Sequence, residues 1–257
     1  MAPTSAARCP ISARPAAGLL RTVAVVTETI LAGSPTRPAD DATGTPAKRP
    51  VDLPVLYFGT PVVLIGSLND DGTTNVAPMS SAWWLGETAM LGMSRFSRTV
   101  QNLERRPQVV LNLADSALVD AVDRIALLTG RPDVPEYKRR RGYTWCADKF
   151  AVGGMTPEAV PGCDLLAVAE APVHLVGEVV TIAPIGEAGS NLMAIEVRVR
   201  QSWVREDLLL DEHPDHMDPL AWDPLIMKFT EYFGRAVNLR ESSLARGWTM
   251  PRLSTRR

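Results

Sequence analysis

Cysteine is scarce in this chain: Cys9, Cys146 and Cys163 are the three present in 257 residues. An odd, scattered set without a C-x-x-C pair or Cys/His ligand spacing argues against a disulfide framework and a zinc site. A reducing, cytoplasmic setting is therefore expected. No run of about 18 apolar residues occurs, so a membrane-spanning helix is not expected. Strong net charge is missing as well. A balance of −2 and a pI near 6.0 give no bulk attraction to nucleic acid or an anionic membrane surface. No G-x-G-x-x-G follows a strand, and there is no P-loop and no nucleophile elbow. A parallel dinucleotide-binding sheet is disfavoured on that ground.

What is present is ordinary for a soluble protein: 46% hydrophobic and 22% charged residues, enough for a core. Small-molecule chemistry is the default expectation. Residues 1–48 are rich in Ala, Pro, Thr and Arg and hold no acid before Glu28. They read as a disordered extension, with an organelle-targeting segment as the alternative. Residues 49–236 read as one domain, and 237–257 as an Arg-rich tail.

Within that domain "PVVLIGSL" (61–68) is a β-branched run, and the Asp-Gly of "NDDGTT" signals a hairpin turn. "NVAPMSSAWW" (75–84) and "TAMLGMS" (88–94) follow as strand-like segments. A helix is predicted at 97–107, capped by Ser97 and stopped by Pro107. Strand returns at 108–114, then a helix at 116–130 with Ser116 as cap and Gly130 as stop. The polar stretch 131–160 reads as loop. Long strands are expected at 165–184 and 191–204, and a terminal helix at 223–235. Strands in a meander with inserted helices predict a mainly antiparallel barrel with helical decorations.

Two segments carry the candidate chemistry. At "SRFSRT" (94–99) a strand gives way to a helix whose first backbone N–H groups lack intrahelical partners. Ser94, Ser97 and Thr99 offer hydroxyls there, and Arg95 and Arg98 offer guanidiniums, which together make an adequate phosphate cup. An ordinary capped helix with solvated arginines fits the same residues. In "NVAPMSSAWW", Pro78 is expected to break the ladder, Asn75 can donate and accept, and Ser80 and Ser81 are small donors. A planar heteroaromatic ligand with a phosphate tail would suit both segments. An irregular edge strand with one tryptophan in the core is the plainer alternative.

Together, "PVVLIGSLNDDGTTNVAPMSSAWWLG…LGMSRFSRTVQNL" and the tail "HPDHMDPLAWDPLIMKFTEYFG" resemble the flavin reductase-like FMN-binding split-barrel family over residues 50–236. The resemblance implies a six-stranded Greek-key split barrel that dimerises, with FMN near the subunit interface. By position, Asn75, Ala77, Pro78, Met79, Ser80 and Ser81 would contact the isoalloxazine and ribityl region. Ser94, Ser97, Arg98, Thr99 and Asn102 would hold the phosphate. It further implies an oxidoreductase passing hydride from NADH or NADPH through flavin to an acceptor. A flavin-binding carrier or sensor without turnover is the alternative. The chain departs from the pattern at "RVRQSWV" (198–204), where several relatives carry a histidine.

Other clusters are weaker. "DEHPDHMD" (211–218) places His213 and His216 among carboxylates, but its prolines favour a tight loop over a metal site. Family resemblance alone would put these histidines near a nicotinamide pocket. His174 reads as a satisfied barrel histidine. "KRRRG" (138–142) reads as a solvated face, with contact to an NADPH phosphate as the alternative.

Overall fold

The run at 61–68 shows no alternation because it is buried on both faces. It forms β1 (Val63–Leu68). Val63 and Ile65 enter one core cluster with Leu91, Leu111 and Ile195, whereas Leu64 enters a second with Val122, Ile125 and Leu225. The computed structural model describes residues 48–248, 250 and 251. The described residues from Val55 onward belong to one compact unit; Lys48–Pro54 belong to another and contain no helix or strand. Apart from Lys48, the expected extension at 1–48 lies outside the described residues.

Seven antiparallel strands make the main sheet. After β1 come β2 (Thr74–Met79), β3 (Ala82–Leu85), β4 (Thr88–Ser94), β5 (Gln108–Leu113), β6 (Val173–Ile185) and β7 (Leu192–Val204). Their order is β2-β1-β5-β6-β7-β4-β3. The chain is mainly β, as expected; against the expected six strands of a Greek-key split barrel, the main sheet has seven and is not closed. The extra strand arises because 74–85 divides. Its first half pairs with β1 from Leu68↔Thr74 to Val63↔Met79, and its second half pairs with β4 from Ala82↔Leu91. Ser80 and Ser81 are the only residues between these two edge strands, so backbone rather than a ladder joins the edges.

Pro78 does not break the ladder, contrary to expectation, because the β1–β2 register runs through it without a shift. Edge position explains this: a proline whose missing N–H faces away from its neighbour costs no ladder bond. Of the adjacent tryptophans, Trp83 is exposed and Trp84 packs on the core, as alternation demands.

Helix α1 (Arg98–Arg105) follows the predicted cap: Ser97 Oγ accepts from Val100 N at 3.1 Å, and Val100 and Leu103 are buried. The next helix is shorter than predicted. Asp115, not Ser116, caps a single tight turn at 116–118, and α2 (Val119–Ile125) stops before Leu128–Thr129. Those two residues pair in parallel with Thr144–Trp145. The stretch read as loop also holds α3 (Glu136–Arg139) and α4 (Lys149–Gly153). The predicted terminal helix is instead a hairpin, Ile226–Lys228 with Glu231–Phe233. Phe229 and Thr230 turn it with φ of 49° and 72°, values a helix cannot use. Among the described residues no helix is long and apolar enough to cross a membrane.

Gly177 marks a register shift between β6 and β7, and a Cβ there would lie 2.6 Å from the Arg198 carbonyl oxygen and 2.8 Å from Val197 Cγ1. Backbone cannot swing aside as a side-chain tip can. Gly177→Ala should therefore lower unfolding stability by about 1–3 kcal/mol, read from the urea midpoint.

Candidate functional site

As an edge strand, β2 leaves every second backbone group without a ladder partner. The Val76 carbonyl is one of these, since it accepts from Lys149 Nζ at 2.8 Å. Pro78, two residues on, faces the same edge. Beside this edge lies the start of α1, where Thr99 Oγ1 accepts from Asn75 Nδ2 at 3.3 Å. A cavity of about 100 Å³ sits between them, lined by Asn75, Ala77, Pro78, Met79, Ser97, Arg98 and Thr99. Both predicted segments therefore meet at one place. Its remaining wall comes from Met93, from Ala126, Leu128, Thr129 and Gly130, and from Lys138, Tyr143 and Lys149.

Four predicted site residues are not in that wall. Ser80 is buried beyond it, and the Ser81 carbonyl accepts from Gly92 N at 2.8 Å. Ser94 Oγ lies 3.2 Å from the Tyr137 hydroxyl. Asn102 is fully buried, donating to Ser67 Oγ at 3.1 Å and Asn69 Oδ1 at 3.0 Å and accepting from Arg105 at 3.1 Å.

The floor is a buried polar network. Asn75 Nδ2 donates to Ser67 Oγ (3.4 Å) as well as to Thr99, while its Oδ1 accepts from Lys149 Nζ at 3.2 Å. The amide's hydrogens and oxygen are thus engaged within the protein. Burial pushes the Lys149 ammonium down to about 8; nearby Cys146 opposes the shift and Lys138 adds to it. Arg98, Lys138 and Lys149 line the cavity, and among the described residues no Asp or Glu does. Such a wall favours an anionic occupant.

The segment after α2 is fastened over the strand–helix turn. Arg98 Nε donates to the Gly130 carbonyl and Arg131 Nη1 to that of Phe96, each at 3.2 Å. Gly130 permits this approach, because a Cβ there would lie 2.4 Å from Asn75 Oδ1. Arg98 and Gly130 also border a second cavity of about 790 Å³, walled by Trp145, Phe150, Met155, Pro157 and Leu166 and by the 69–74 turn. Its carboxylates are engaged: Asp71 accepts from Thr73 N and Oγ1, which holds it below the usual range, and Asp148 caps α4 through Ala151 N.

Lys138, Tyr143 and Lys149 were missed because they fall in the stretch read as loop. Asp148 as cap and Gly154 (φ 64°) as stop frame α4 legibly, but nothing local says that Lys149 faces inward. Elsewhere, Glu136 pairs with Arg139 at 2.6 Å and Arg140 at 3.0 Å, so part of the basic run is neutralised on the surface. His174 is buried with Nε2 2.9 Å from the Val168 carbonyl oxygen. The His213 and His216 rings stand 6.0 Å apart, with His216 bonded to Asp215 at 2.8 Å. Among the described residues no group of three or more His, Cys, Asp or Glu is placed to hold a metal.

An antiparallel sheet whose edges are joined through two serines, with the strand–helix turn beside it, is the flavin reductase-like split-barrel fold. Flavoredoxin of Desulfovibrio vulgaris (Miyazaki F) superposes with a TM-score of 0.62 at 19% identity, covering 78% of this chain and all of that one. An FMN-binding protein from Thermus thermophilus, solved with bound 1-cyclohex-2-enone, gives 0.57 at 14%, covering 77% and 100%. No family model matches the chain. In sequence it is 34% identical over 180 residues to the uncharacterized protein YdfE of Bacillus subtilis (strain 168), spanning 70% of this chain and 86% of that protein. The chain belongs to the family of YdfE.

Lys149 gives the structure a pH signature. Its folded value of about 8 lies below the ordinary 10.5, so above pH 8 the unfolded chain holds a proton that the folded one has released. Stability therefore rises with pH across that window. Relative to Lys149→Met, the wild-type unfolding free energy should gain on the order of 2–3 kcal/mol between about pH 8 and 10. Urea titrations of both proteins across that range check this.

Proposed function

We propose that the chain binds FMN at the small cavity and acts as a flavin reductase-like oxidoreductase, taking hydride from NADH or NADPH for an acceptor. The observation that carries this reading is a wall of Arg98, Lys138 and Lys149, with no carboxylate among the described residues, set against the open edge of β2. That donor set suits a phosphorylated, planar cofactor whose ring becomes more negative on reduction. The small cavity alone falls below the usual size range of ligand pockets, about 300–1,000 Å³. Arg98 and Gly130 also border the larger cavity, so a cofactor too big for the small one has adjoining space beside it. That a protein of the same fold from Thermus thermophilus is an FMN-binding protein supports the same choice.

Bound flavin would supply the hydride chemistry, and the protein the orientation and electrostatics. Asn75, Ala77, Pro78 and Met79 present one strand edge to the ring, with Ser80 and Ser81 continuing it. Arg98 meets the phosphate with a charge-assisted fork, beside Ser97, Thr99 and the first N–H groups of α1. Ser94 contributes from the turn before them, and Asn102 braces α1 from behind. We also read the protein as a homodimer, because the edge strand β3 exposes Trp83 and Leu85.

Purified protein should be yellow or take up FMN with a shifted flavin spectrum, and NADH or NADPH should bleach it under anaerobic conditions. Bound flavin that neither nicotinamide reduces would favour the carrier reading; failure to take up FMN would remove both. Arg98→Ala should weaken FMN binding by about 10- to 100-fold, as expected for a lost charged contact. Its unfolding midpoint should change little, since the lost Gly130 contact is a single half-buried hydrogen bond.

A further inference from the structure

The hairpin of Pro157–Ala159 with Leu166–Val168 puts Ala167 into one buried cluster with Val110 of β5 and Val176 of β6. Beside it is a cavity of about 300 Å³, at the lower end of the usual range for ligand pockets. Pro161, Pro172 and Trp203 give it an apolar wall, and Glu158, His174 and Arg205 give it polar groups. It shares no lining residue with the candidate flavin cavity or the larger one next to that. In the sheet, β1 and β5 stand between β6, which carries His174, and the edge strand β2.

His174 is 7% exposed. Its Nε2 lies 2.9 Å from the Val168 carbonyl oxygen, which can only accept, so Nε2 carries the ring proton. Nδ1 of the neutral ring is then an acceptor, and no protein donor reaches it among the described residues. Glu158 Oε2 stands 3.9 Å from Nδ1, too far for a hydrogen bond, and an ionised carboxylate also only accepts. Two acceptors are therefore separated by a gap that a single nitrogen, about 2.9 Å from each, can bridge. Trp203 is the cross-strand partner of His174, so its exposed side chain flanks that gap. The guanidinium of Arg205 is already answered, by Asp207 at 2.5 Å and Asp115 at 3.9 Å. Among the described residues no Lys or Arg pairs with Glu158.

We propose that this cavity is a binding site for a small organic cation, an ammonium or amidinium group on an apolar body. Its N–H groups donate to His174 Nδ1 and Glu158, and its body packs on Trp203, Pro161 and Pro172. The indole face adds cation–π attraction. The site does not rest on the flavin reading. The alternative is a His174 that takes up a proton and closes on Glu158, which leaves no acceptor for a ligand.

Titration calorimetry of the full chain with benzylamine and benzamidine separates the two, with benzyl alcohol and benzoate as neutral and anionic counterparts. The cations should bind with a dissociation constant of about 1 mM, and their counterparts about tenfold more weakly or not at all. Glu158→Gln should weaken benzamidine binding about tenfold, and Trp203→Leu about threefold. Both side chains are exposed, so thermal melts of the two variants should match wild type. No saturable binding of either cation at about 10 mM would overturn the proposal. So would benzoate binding as well as benzamidine, or a benzamidine affinity that neither substitution changes.

Discussion

The ammonium of Lys149, carried into the interior and hydrogen-bonded to Asn75 and Val76, is the contact around which the candidate site is organised. Asn75 passes that constraint on. With its oxygen committed to Lys149, its amide hydrogens go to Ser67 on β1 and Thr99 on α1. Ser67 in turn accepts from Asn102, so β1, β2, α1 and α4 share one buried hydrogen-bond chain. Low local dielectric strengthens such a chain when it is complete and makes each broken member expensive.

The same network explains how a loop-like stretch comes to help form a binding site. Residues 130–147 are long and polar, with little apolar surface to hold them against the sheet. They are fixed at their base by the parallel pair Leu128–Thr129 with Thr144–Trp145, and over the strand–helix turn by Gly130 and Arg131. Beyond that base, α4 buries Phe150 as well as Lys149. Local propensity does not specify this segment; its contacts with the turn and with β2 do.

That division sets what could be read from the sequence. The paired segments 75–81 and 94–99 were legible because their chemistry is local: a capped helix start, a proline on an edge, small residues in a row. Both reach one cavity. The helix at 116–130 was over-extended because its apolar spacing continues through Leu128, whose backbone has already left the helix for a strand. The hairpin at 226–233 carries a helix-like pattern, because Leu225, Met227 and Phe229 fit either period over so short a span. Positive φ at Phe229 and Thr230 has no sequence cue, since neither residue is one that commonly adopts it. Lys149 was invisible for a different reason. A single lysine in a polar stretch shows no periodicity, and its inward direction depends on acceptors 73 and 74 residues away.

The segment Asn75–Trp84 answers two demands at once. As β2 it must leave one backbone edge open beside the cavity, and as β3 it must pair with β4 so that the sheet does not splay. Both cannot be met by one straight strand, because β1 and β4 are far apart in the strand order, each next to a different edge. The change of partner falls at Ser80 and Ser81, where the Ser81 carbonyl takes the Gly92 N–H at 2.8 Å. A Cβ on Gly92 would stand 3.1 Å from Ser81 Cβ, so the crossover is packed tightly as well as bent. Larger side chains at either position would force the backbones apart. Separation there would shift β2 relative to α1, and Asn75 relative to Thr99. The small residues that looked suited to a ligand are therefore required first by the strand crossover, and the open edge beside the cavity is a consequence of meeting that requirement.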